Sequence, residues 1–239
     1  MNILTLDRPT VSLTPRDKGI CNLVGDCRDL ECQALGKEHK FDLEFTGQGT
    51  VNHHLGTHAE MAFAKWMGFD WFVPSLNIYD KGFDCANVQV RSHQNNRIPP
   101  QLKVRGVDDD DKRYVLSYPL DEAFDRFCIS GWALGSFVKA NGKLDNRNNR
   151  PMYRLDYPKV PGLPDDAFRE SVLAAKDAAY RDSVAAYKEV KQCVANRMLG
   201  HFRRLGVALG CEEPRSIADL PVEDLSPEDR DRLMDVLFE

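Results

Sequence analysis

This 239-residue sequence lacks three features, and each absence excludes a class of protein. No run is long and apolar enough to span a membrane as a helix, and Met1 to Pro9 has neither the basic start nor the apolar centre of a signal peptide. A soluble cytoplasmic protein with no membrane partner is therefore expected. Positive charge is not in excess: 32 Lys and Arg against 37 Asp and Glu leave −5, which argues against coating nucleic acid with the whole surface but permits a local basic groove. No Cys-x-x-Cys occurs. The seven cysteines, at 21, 27, 32, 85, 128, 193 and 211, are odd in number and scattered, so they read as reduced thiols rather than a disulfide framework.

The missing cysteine pair removes two metal readings as well. Cys21, Cys27 and Cys32, with His39 nearby, have no zinc-knuckle spacing. His58-Ala59-Glu60 spells the His-x-Glu of zinc nucleobase deaminases, but that chemistry needs a downstream Pro-Cys-x-x-Cys to complete the metal cage. His53, His54 and His58 then fall to a site rim or to ordinary packing.

What is present is enough apolar residue, 42%, for a real core. His53 to Met67 is rich in helix formers, apolar around most of its circumference and followed by Gly68, which predicts a buried helix ending there. Glu60 is the acid within it. Such a carboxylate needs a metal, a cation or hydrogen-bond donors beside it, and an internal salt bridge is the plain alternative to a catalytic role. Gly56, Glu60 and Ala64 share a helical face, which leaves room around the carboxylate.

Extended chain follows. Trp71-Phe72-Val73 and Asn77-Ile78-Tyr79 read as short strand pieces broken by Pro74, and Asp84 to Ser92 as a strand or tight hairpin. Gln89 and Arg91 share one strand face, with Val88 and Val90 on the other. Asp84 has the wrong parity to join them, so a turn or bulge near Ala86-Asn87 is required.

Gly56-Thr57-His58-Ala59-Glu60 on a helix, then Phe83-Asp84 with Gln89-Val90-Arg91, then a Tyr-Val-Leu strand and Gly131-Trp132, resembles the PD-(D/E)xK nuclease superfamily, in particular its small phage and bacterial members. The likeness covers roughly residues 50 to 160. It implies a restriction-endonuclease-like α/β fold, a mixed β-sheet flanked by helices, acting on DNA with Mg²⁺ or Mn²⁺ in the cytoplasm of a bacterial host. Residue by residue, it gives Asp84 and Glu60 as metal ligands, Gln89 at the second acidic position and Arg91 at the lysine. Gln89 offers a metal only an amide oxygen, and Arg91 can hold a phosphate but cannot act as a base. The expected function is a DNA nuclease hydrolysing phosphodiester bonds through a metal-activated water, with a catalytically degenerate DNA-binding module as the alternative.

The remaining chain is read around that centre. Residues 1–50 are expected to form a connector packed on the core, with a short helix between Arg16 and Phe45; 51–164 form the nuclease-like core, and 165–239 a helical C-terminal extension. Arg91, Arg97, Lys103 and Arg105 are expected to line a phosphate track, with a solvated strand face as the plain alternative. Asp108 to Asp111 reads as a solvated hairpin tip, Tyr114–Tyr118 and Arg126–Ser130 as strands, the second ending at Gly131-Trp132, and Asn141 to Pro151 as a loop. From Asp165 onward Phe168, Val172, Tyr180, Val184 and Tyr187 recur at helical spacing, opposite Arg181, Lys188 and other basic residues, with breaks expected at Gly200, Gly206 and Gly210. That region is expected to add a helical layer, or else to bind a second copy or a phage or host replication partner through residues 165–205. A last helix is expected over Pro227 to Phe238.

Overall fold

Thr14-Pro15-Arg16-Asp17 starts the first helix by reciprocal capping. The Thr14 hydroxyl accepts from the Asp17 amide (3.2 Å), the Asp17 carboxylate accepts from the Thr14 amide (2.7 Å), and Pro15 takes the first helical position. In the computed structural model, which describes residues 8–34, 48–69, 72–76, 84–93, 100–146, 151–162 and 164–209, this helix, α1, spans Pro15–Ala34. It is longer than the short helix expected there. Ile20, Cys21, Val24 and Cys27 form a buried stripe along it, and tertiary burial of that stripe supports the added turns.

The next helix, α2, spans Gln48–Met67, so it begins before the expected His53 and ends as expected at Gly68. Gly68 has φ +79°, its amide donates to the Lys65 carbonyl (3.0 Å), and the Phe69 amide donates to the Ala64 carbonyl (3.1 Å). Only glycine adopts that left-handed stop at little steric cost. Helices α1 and α2 are stitched where the Thr57 hydroxyl donates to the Cys21 carbonyl at 2.8 Å.

The fold is mixed α/β. A four-stranded sheet has the order β1 (Thr10–Ser12), β5 (Arg126–Leu134), β4 (Arg113–Pro119), β2 (Val88–Arg91). Its β2–β4 pair is parallel and the other pairs antiparallel. Parallel neighbours need a crossover. Here that crossover carries β3 (Gln101–Arg105), which pairs with β7 (Met152–Asp156) and through it with β6 (Lys143–Asp145) in a second, three-stranded antiparallel sheet.

Helix α2 packs on all four strands of the first sheet. Two cores result, and β4 faces both: Val115 joins the core under α2, whereas Tyr114 and Leu116 join Leu102, Val104, Leu155 and Val138 in the other. Val138 belongs to α3 (Gly135–Asn141).

Four expectations for the strands and turns are corrected. Phe72, Val73 and Leu76 are buried, but residues 72–76 form no strand, as Pro74 cannot donate to a ladder; Trp71 and Asn77 to Tyr79 lie outside the described residues. Strand β5 does not end at Gly131-Trp132. Its register against β4 shifts between Leu116 and Ser117, leaving Ser130 as the extra residue, and the strand runs on to Leu134. The expected loop from Asn141 to Pro151 contains β6, because a ladder to β7 outweighs its local turn composition. The acidic turn is solvated only in part: Asp109, Asp110 and Asp111 are exposed, but the Asp108 side chain is 5% exposed.

After Asp165, whose carboxylate caps the helix by accepting from the Phe168 amide (2.8 Å), come α4 (Asp166–Leu173) and α5 (Lys176–Leu209). Phe168 stacks on Trp66 and Trp132, and Val172, Ala179, Ala186, Tyr187 and Val190 complete the buried face, so this part forms a helical layer on the body. Helix α5 continues through Gly200 and Gly206 instead of breaking there, since an isolated glycine weakens a helix by only about 1 kcal/mol. Gly210 and the expected helix from Pro227 to Phe238 lie outside the described residues.

Candidate functional site

Asp84 reaches the strand face of Gln89 and Arg91 through a tight turn. Ala86 has φ +53°, Asp84 and Cys85 amides both donate to the Val88 carbonyl (3.1 and 3.2 Å), and the Asp84 carboxylate accepts from the Val90 amide at 2.7 Å. This is the reversal that strand parity required. The carboxylate ties down the strand that follows it, so its local role is structural as well as electrostatic.

Three of the expected site residues meet directly there. Arg91 Nη1 donates to Gln89 Oε1 (3.2 Å) and lies 3.8 Å from Asp84 Oδ2. Its Nη2 pairs with Asp108 Oδ2 at 3.3 Å, and the guanidinium sits 5.2 Å from the Tyr114 ring centre. Glu60 lies close enough that the Asp84 charge acts on it. The arginine is thus held among two carboxylates, an amide and an aromatic face.

Glu60 itself is buried, and its partner is a cation that sequence reading missed. Arg28 of α1 donates through Nη1 to Oε1 (3.0 Å) and through Nη2 to Oε2 (2.8 Å), while its Nε donates to the Ser75 carbonyl (2.7 Å) and its Nη2 also reaches that carbonyl. The space that Gly56 leaves beside the carboxylate is where this guanidinium sits: a methyl group at Gly56 would lie 3.5 Å from Arg28 Nη1. The signal was present in the spacing of α1. Cys21, Val24 and Arg28 fall at i, i+3 and i+7, so the arginine belongs to the buried stripe.

Burial pushes the Glu60 carboxyl up to about 7; Arg28 opposes that rise and the Asp84 charge adds to it. Asp84 is also raised, by burial first, against the pull of Arg91 and then Arg28. Two acids and two arginines therefore share one weakly solvated volume, in which burial works against the charge of each acid and the arginines favour it.

A divalent ion does not fit this donor set as arranged. Both Glu60 oxygens are taken by Arg28, Asp84 Oδ2 accepts from Val90, and the Gln89 amide oxygen accepts from Arg91. Hard cations need several oxygens free to turn toward them. Among the described residues, no group of three or more His, Cys, Asp or Glu is placed to hold a metal.

Of the residues expected to line a phosphate track, Arg91, Lys103 and Arg105 are among those described. Arg105 is exposed and bound to Asp108 through Nε (2.8 Å), and Asp108 in turn joins it to Arg91. Lys103 lies on the same strand face, opposite Arg154 of β7. Arg97 falls outside the described residues.

Of the three histidines expected at a site rim or in packing, two have polar partners within the helices. His58 is buried against Phe124, and its Nδ1–H donates to the His54 carbonyl at 2.6 Å; His54 Nε2 lies 2.9 Å from Asp26 Oδ1. Cys21, Cys27, Cys32, Cys85 and Cys128 are buried and in no disulfide. No helix among the described residues is long and apolar enough to cross a membrane. No family model matches this chain, and no curated protein or solved structure matches it.

Proposed function

We propose that this chain is a DNA-binding module on a restriction-endonuclease-like scaffold, with its catalytic centre converted into a network of ion pairs. One observation carries the reading: the Arg28 guanidinium takes both oxygens of Glu60. A built-in cation then neutralises the buried acid without a bound ion. Gln89 and Arg91, the two departures from the superfamily pattern, fit the same conversion. The first removes a negative ligand; the second adds a fixed positive charge that pairs with Asp84 and Asp108. Next to that centre, Arg105 and Lys103 give a basic edge suited to a phosphate backbone.

The second reading, a Mg²⁺- or Mn²⁺-dependent nuclease hydrolysing phosphodiester bonds, is favoured by the meeting of Asp84, Gln89 and Arg91, with Glu60 close enough to feel the Asp84 charge, and requires Arg28 to leave Glu60. Labelled single- and double-stranded DNA, titrated with the full chain, separates the two. The binding reading expects a retarded complex in EDTA and intact DNA with either ion. Cleavage with Mg²⁺ or Mn²⁺ that is abolished by Asp84→Ala establishes the nuclease instead, and no binding and no cleavage of either DNA form sinks both.

A further inference from the structure

We draw no further inference here: the strongest candidate, the surface patch at the start of α3 where exposed Leu134 and Phe137 stand beside the acidic turn that the Ser136 amide holds through the Asp110 carbonyl, carries nothing because nothing in the structure shows what covers it.

Discussion

Arg28 and Glu60, 32 residues apart, meet through two parallel hydrogen bonds of 3.0 and 2.8 Å in the buried interface between α1 and α2. Side chains this well enclosed, 7% and 5% exposed, put the full desolvation of each charge at stake if its partner is lost.

Arg28→Ala should therefore destabilise the fold by about 3–5 kcal/mol, as for other buried pairs from which one member is removed. Arg28→Met with Glu60→Leu should recover most of that loss, since both charges go together. Urea unfolding of the single and double variants measures it; equal instability of the two would show that the pair's packing, and not its charge, matters.

Glu60 also sets a slope in stability against pH. Its folded pKa, pushed up to about 7 from an ordinary 4.5, means that the folded state holds a proton the unfolded chain has released. Its contribution is full below about 4.5 and is lost as pH rises through about 7. Glu60→Gln should remove that component, seen as a smaller decline in urea midpoint across this window than in wild type.

His58 and His93 act in the opposite sense. Burial pushes both down to about 4; at His58 the hydrogen bond to the His54 carbonyl opposes the fall while the His54 and Lys18 charges add to it, and at His93 Lys103 and Arg154 add to it. The folded state therefore binds fewer protons than the unfolded chain between about 4 and 6.5, and stability falls as pH drops through that range. NMR titration should find both rings neutral at pH values where an exposed histidine is already charged. His58→Gln should lessen the acid sensitivity.

Close approach of α1 and α2 at Gly25 gives a steric prediction. A methyl group there would lie 2.2 Å from His54 Cδ2 and 3.2 Å from the His54 amide nitrogen. Gly25→Ala should cost roughly 1–3 kcal/mol through overpacking, despite the better helix propensity of alanine. A thermal melt with unchanged Tm would mean that His54 swings aside, breaking its contact with Asp26.

Local patterns were legible where one stretch of chain decides its own state. The α2 stop at Gly68, the strands around Val88–Arg91 and Gln101–Arg105, and the turn needed before Asn87 follow from glycine geometry, alternation and strand parity. Partnership across the fold was not legible. Four consecutive aspartates look alike in sequence, yet only Asp108 is enclosed, because Arg91 and Arg105 converge on it from β2 and β3. Lys143-Leu144-Asp145 lies in a stretch with the composition of a loop; only its ladder to β7 makes it strand. The spacing of α1 puts Arg28 on its buried stripe, but a lone arginine in a helix announces its charge, not the acid it will meet.

The β4–β5 hairpin has a consequence for how the protein comes apart. Val115 and Ile129 point one way from it and Leu116 and Ala133 the other, so it is the party wall between two hydrophobic rooms. Neither room can be vacated without stripping that wall on one side. Amide protons of β4 and β5 should exchange last of all, by the same global opening, and no cut in the chain should yield two halves that each fold alone.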